Sequence, residues 1–280
     1  MTKDLSSLDA VRAEIDRIDD RLHDLLMERT ALVERVAAAK AADAGVPLRP
    51  GREAQILRRL TARHAGPFPK AALVRIWREI MGALVGLQGP FSMGVFQPER
   101  GAGYIELARN HFGTTCPMVV HVSPGHVVRM VADGQTSVGV VPVPGDNDAE
   151  PWWLALASEA ENLPRVVARL PVIPSERPEP LEALIVARRP HDDTGDDRTL
   201  IVVETSPDVS RDRLRGLLAT AALEPSAMVA THRRDDSWLH LVEVTGCLQQ
   251  GDPALATLVG AKDPVRHVSV IGGYPVPLPA

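Results

Sequence analysis

Apolar residues in the first forty positions recur every seven residues, in two interleaved rows. One row is Leu8, Ile15, Leu22, Arg29 and Val36; the other is Val11, Ile18, Leu25, Leu32 and Ala39. A heptad repeat sustained this long specifies a long helix whose stripe packs against other helices. Ser6, Ser7 and Asp9 offer caps at its start, and "DAGVP" ends it near Asp43. Arg29 is the one charged member of the seam. Burying an unpaired guanidinium costs on the order of several kcal/mol. Arg29 must therefore reach solvent, pair with a carboxylate, or face an anionic ligand.

The neighbours of Arg29 decide between these readings. Lys40 follows eleven residues later, which is about 16 Å along a helix axis and about 20° around it. A small dianion fits between the two side-chain tips. Arg12 precedes Arg29 by seventeen residues, about 25 Å along the axis and rotated by about 100°. It is out of reach of anything that Arg29 of the same chain holds. Arg12 of a second copy, on a crossing antiparallel helix, is not; from spacing alone Arg12 is a solvated surface arginine.

The stretch "PLRPGREAQIL" opens a second helix, with Pro50 in its first turn, Arg49 and Arg52 flanking its start and Glu53 next in line. That helix runs to about His64. A third runs from about Lys70 to Leu87 and is stopped by "QGPF". Leu84 and Gln88, four residues apart, share its last face.

Beyond residue 90 the texture changes. "MGVF", "YIELARNHF", "MVVHV", "GHVVRMVADG" and "SVGVVPV" alternate strand and helix patterns, as in an α/β layer domain. "RVVARLPVI" and "LEALIVARR" read as further strands. "RRPHDDTGDD", residues 188–197, is a polar boundary. After it comes strand 199–204, helix 209–221, strand 226–232, strand 237–245, helix 252–260 and strand 265–271, the βαββαβ order of a ferredoxin-like sandwich. The predicted chain is multidomain: all-α over 1–90, α/β over 91–192, and α+β over 193–280.

Several function classes drop out on composition. A net charge of −5 and 4% aromatic residues leave no general nucleic-acid surface. No stretch approaches a membrane span, and the N-terminus has no apolar signal core, so the chain reads as soluble and cytoplasmic. Cys116 and Cys247 are too far apart for a CxxC pair and read as reduced thiols. No P-loop, GxSxG, HExxH or Gly-rich dinucleotide loop is present, so neither metal nor cofactor is expected.

The run "LDAVRAEIDRIDDRLHDLLMERTALVERVAAAK", the "RE" opening the second helix, and "IWREIMGALVGLQ" together resemble the all-helical (AroQ-type) chorismate mutases. The resemblance covers about ninety residues. It implies a helix-swapped homodimer with two shared sites and chorismate as the small-molecule substrate. Arg29 and the second copy's Arg12 then bind the substrate carboxylates. Lys40 and Gln88 donate to the ether oxygen of the breaking bond. Glu53 and the Arg52 backbone position the ring hydroxyl. The rearrangement to prephenate is pericyclic and needs no nucleophile, metal or cofactor, only a held conformer and stabilised charge on the departing oxygen. The sequence departs from the family at two positions: Arg49 stands where an acidic residue is usual, and Leu84 where a serine donor is frequent.

The order of the later segments resembles the bifunctional mutase–prephenate dehydratase proteins. "GVFQPERGAGYIELARNHFG" looks like the dehydratase's opening strand and helix, and "SVGVVPVPGD" like its Gly-Val-Val-Pro strand. The dehydratase's Thr-Arg-Phe is replaced by Glu182, Ala183 and Leu184, and its Glu-Asn-Ser by Pro144, Gly145 and Asp146. The segment is also short for a two-lobed domain, and reads as a degenerate dehydratase. The last segment resembles an ACT domain but lacks its amino-acid-binding signature, which favours dimerisation over phenylalanine feedback. The leading expectation is a chorismate mutase with inactive C-terminal domains. A bifunctional mutase–dehydratase and a non-catalytic ACT-based sensor are the alternatives.

Overall fold

The computed structural model describes residues 7–39, 47–158, 163–174, 180–260 and 264–279. Helix α1 spans Leu8–Ala39, about 48 Å at 1.5 Å per residue. The Ser7 hydroxyl accepts from the Ala10 amide at 3.1 Å and caps it; Ser6 and Asp43 lie outside the described residues. Most of α1 is exposed, including Leu8, Ile15, Leu22 and Val36 of one row and Val11, Ile18, Leu25 and Leu32 of the other.

The next two helices behave differently. Helix α2 (Pro50–Ala62) starts on Pro50 as the sequence predicts, and α3 spans Lys70–Gly86. Both turn their apolar faces toward the rest of the chain. Leu57, Val74 and Met81 form a core with Leu278 from the C-terminal tail. The Leu278 amide donates to the Val172 carbonyl at 2.8 Å. Arg58 donates to the Thr194 hydroxyl at 2.7 Å and to the Asp196 carbonyl at 2.6 Å. Gly82 lets α3 press on helix α4: a Cβ there would sit 2.1 Å from the Phe112 carbonyl oxygen.

The middle segment forms β1 (Met93–Phe96), α4 (Gly103–Phe112), β2 (Met118–His121), α5 (Pro124–Ala132) and β3 (Val138–Pro142). A 3₁₀ turn (Trp152–Leu156), β4 (Arg165–Leu170) and β5 (Ala183–Ala187) follow. Strand β1 pairs in parallel with β2 and β3, whereas β5 pairs antiparallel with β3 and β4. The described residues of this segment build one sheet lobe. Its inner strands β3 and β5 are buried on both faces, whereas the edge strand β2 exposes Val119 and Val120. Ala183, Ile185 and Ala187 face the core shared with α4; Leu184 and Val186 face the core shared with α5.

The C-terminal segment forms β6 (Asp197–Thr205), α6 (Arg211–Thr220), β7 (Pro225–Arg234), β8 (Ser237–Thr245), α7 (Pro253–Gly260) and β9 (Val265–Pro275). Its order β9-β6-β8-β7, antiparallel throughout, is that of a ferredoxin-like sandwich. Helices α6 and α7 cover one face, over Ile201, Val203, Val242 and Val244. The other face carries Leu200, Val202, Leu239 and Leu241, and is covered by Trp152, Trp153 and the α5 core.

The two sheets are one. Among the described residues nine strands run in the order β2-β1-β3-β5-β4-β9-β6-β8-β7, and the joint is a parallel pairing of Val166 with Gly272. Gly272 has φ +128°, and a Cβ there would lie 2.2 Å from the Val166 carbonyl oxygen. Only glycine permits both that backbone and that approach. No described helix is long and apolar enough to cross a membrane.

Candidate active site

Helix α1 projects Arg29 onto α3. The guanidinium carbon lies 5.8 Å from the centroid of the Trp77 ring, a cation–π arrangement. Nη1 is buried with no hydrogen-bond partner, and burial alone pulls the pKa below the usual arginine value. No carboxylate among the described residues pairs with it. Arg29 thus keeps one buried donor free for an acceptor beside the Trp77 ring.

The other predicted residues are distributed around it. Arg12 is exposed and pairs with Asp9 of its own helix at 3.4 Å. Lys40 lies outside the described residues. Leu84 is buried, and Gln88, two residues past the end of α3, donates from Nε2 to the Leu84 carbonyl at 3.1 Å. Arg52 is exposed. Arg49 is exposed at the N-cap of α2 and is one of the charges that depress the pKa of Arg189, after the larger effect of burial.

Glu53 is buried, and its Oε2 accepts from Arg78 Nη1 at 2.6 Å. Arg78 Nε also donates to the His111 carbonyl at 2.8 Å. The pair thus ties α2 and α3 to α4, and Glu53 lines a small cleft with Arg58, His111 and Pro275. Burial, then the charge of Arg78, holds the His111 imidazole well below its ordinary pKa. Within one chain no hydrogen bond or ion pair joins Arg29, Glu53 and Gln88. Sequence reasoning missed Trp77 and Arg78. Trp77 was legible as an aromatic residue on α3; the Glu53–Arg78 pair spans 25 positions and has no local signal.

In the middle segment, the positions that differ from the dehydratase motifs have structural partners. Asp146 accepts from Arg211 Nη2 at 2.6 Å and from the Thr231 amide at 2.8 Å, and the Arg211 hydrogen bond leads the lowering of its pKa. Glu182 accepts a two-pronged bond from Arg169 at 2.8 and 3.2 Å. Arg169 continues to the Tyr274 hydroxyl at 2.7 Å and to Glu243 at 3.1 Å. These side chains fasten the middle lobe to the C-terminal unit. No cluster of metal-ligating side chains occurs among the described residues.

Residues 11–89 match the family model for chorismate mutase type II. The bifunctional chorismate mutase/prephenate dehydratase of Pseudomonas aeruginosa is 33% identical over 145 residues, covering 50% of this chain and 40% of its own length. Its counterpart in Aquifex aeolicus is 31% identical over 148 residues, covering 50% and 39%. The chain thus spans about two-fifths of the length of these curated relatives. Among solved structures, GqqA, described as a novel type of quorum quenching acylase, superposes with a TM-score of 0.50 at 15% identity, over 65% of this chain and 94% of that one. The prephenate dehydratase of Arthrobacter aurescens in complex with L-Phe gives 0.48 at 12% identity, over 66% and 89%.

Proposed function

Given that residues 11–89 carry a chorismate mutase type II domain, we propose that the protein is a cytoplasmic chorismate mutase whose sites are completed by a second copy of the chain. The observation that carries this reading is Arg29: a seam guanidinium with a buried donor and no counter-ion beside it. The exposed apolar rows of α1 support the partner, because a stripe of that length is stable only when covered. Arg29 and the second copy's Arg12 hold the carboxylates of chorismate. Lys40 and Gln88 donate to the ether oxygen as charge develops on it, and the Arg52 backbone with Glu53 positions the hydroxyl. To reach substrate, Gln88 releases the Leu84 carbonyl, and Glu53 keeps one oxygen on Arg78 while offering the other. Arg49 and Leu84 flank the site and lower its efficiency rather than change its reaction.

Residues 91–192 are then a degenerate dehydratase-like lobe, and 193–280 an ACT-like unit serving assembly or regulation. The partnered Asp146 and Glu182 support catalytic silence there. Purified protein should convert chorismate to prephenate. Arg29→Ala and Lys40→Ala should each lower kcat by about 10²-fold or more, the scale of a lost transition-state donor. Neutral Gln88 titrates nowhere near neutrality, so kcat should be flat from about pH 6 to 8. A protein that binds chorismate calorimetrically without turning it over is a sensor and refutes the enzyme reading. The relatives' names favour a second, bifunctional reading, which requires phenylpyruvate to form from prephenate at neutral pH.

A further inference from the structure

Helix α2 begins without a side-chain cap of its own. Arg49 stands at its N-cap and makes no cap bond; a guanidinium has donors only and accepts nothing from a first turn. The acceptor comes from 141 positions away: Asp192, in the loop between β5 and β6, takes the Gly51 amide on Oδ2 at 3.2 Å. Its Oδ1 accepts from Arg189 Nη2 at 2.9 Å, and Arg189 Nη1 donates to the Leu48 carbonyl. An acid and a base from one loop thus grip a carbonyl just before α2 and an amide just inside it. The fit is close, since a Cβ at Gly51 would collide with the Asp192 Cβ. Farther along α2, Arg58 reaches the same loop at Thr194 and Asp196. The loop is pinned in turn. Thr194 gives its amide and hydroxyl to the buried Asp197 of β6 at 2.7 and 2.6 Å, and the Arg189 amide donates to the Ala187 carbonyl of β5 at 2.9 Å.

We infer that Asp192 is a positioning residue for the mutase reaction: it sets the first turn of α2, which carries Arg52 and Glu53. The inference rests on the mutase reading above. Of the amides that open α2, Pro50 has none, Gly51 donates to Asp192, and Glu53 donates to the Arg49 carbonyl at 3.0 Å. The Arg52 amide has no partner among the described residues, and it is the one that the proposed site gives to the ring hydroxyl. The Asp192 carboxylate also offsets the partial positive charge at the helix start. A reaction that needs only a held conformer loses rate when a positioning group is misplaced, even when affinity survives. Part of the support for the mutase site therefore lies in the loop that joins the middle lobe to the C-terminal unit. A displacement between β5 and β6 reaches Glu53 through Asp192.

The test is chorismate turnover by the full chain and its variants, assayed well below each thermal midpoint so that lost fold stays out of the comparison. Asp192→Ala should lower kcat by about tenfold, with KM within about twofold of the parent's. Asp192→Asn keeps an oxygen for the Gly51 amide and should bring kcat back to within about threefold. Gly51→Ala is the sharper variant. Alanine is the better helix former, so a role limited to helix stability predicts no loss, whereas a displaced Asp192 predicts a kcat lower by about tenfold. Combined with Asp192→Ala, the two losses should not multiply, because both strike one contact. An active parent with parental kcat in either Asp192→Ala or Gly51→Ala, or with losses that multiply, overturns this inference alone. A parent that does not turn chorismate over overturns the mutase reading and this inference with it.

Discussion

Helix α1 and strand β6 are both written in apolar repeats, and they end in opposite conditions. Leu200, Ile201, Val202 and Val203 of β6 are at most 2% exposed, because the strand has a covered sheet face on each side. Leu8, Leu22 and Leu25 of α1 are 65%, 55% and 57% exposed. A period of two is satisfied inside this chain; the apolar side chains of the period of seven stay exposed among the described residues. Leaving so much apolar surface in water forfeits about 25 cal/mol per Å², which makes α1 the part of the molecule that association would stabilise most.

The contrast can be broken from either side. On the proposed reading, placing aspartate in the seam, as Ile15→Asp with Leu22→Asp, should abolish self-association and lower chorismate turnover by about 10²-fold or more, since each proposed site would lose the second copy's Arg12. Sedimentation and a turnover assay read both; dissociation with full activity would separate the helix from the site. On the buried side, Trp153→Ala removes a 1% exposed side chain under the joined sheet and should cost about 3–5 kcal/mol in urea unfolding, without changing the oligomeric state.

Glu53→Gln should cost about 3 kcal/mol, because it strands the Arg78 guanidinium in the interior. Replacing both residues by apolar ones of similar volume should recover most of that loss, which a catalytic assay and a melt together would show. The smallest effect is on pH dependence. His111 is held neutral in the fold, so the unfolded chain takes up a proton that the native one refuses. Stability is then fully present above about pH 6.5 and is lost on acidification, by up to about 1.4 kcal/mol per pH unit. His111→Asn should flatten that limb between pH 7 and 5.5 in denaturant midpoints.

Local patterns carried most of the secondary structure. The βαββαβ order was readable because each strand is a short apolar run between turn residues, and the limits of α2 and α3 because proline and glycine punctuate them. What joins the elements was not readable. The contact of Val166 with Gly272, the seating of Leu278 between α2 and α3, and the Arg58 bonds to the loop before β6 are pairings across more than a hundred positions. No repeat or spacing encodes them. The sequence offered a set of charges and not a place: it left solvent, a carboxylate or an anion open for Arg29, whose Nη1 is buried without a partner, whereas the burial of Glu53 against Arg78 followed from α2 packing on α3 and β9.

Gly272 has a consequence for how such a chain can be inherited. Modules strung on linkers can be cut, shuffled and regrafted; here a single missing methyl group welds two of them edge to edge. Severing the loop at 188–196 would hand each half a raw strand border with unfilled backbone donors and acceptors, an invitation to clump. Recombination at that seam is closed, and the two units must travel together.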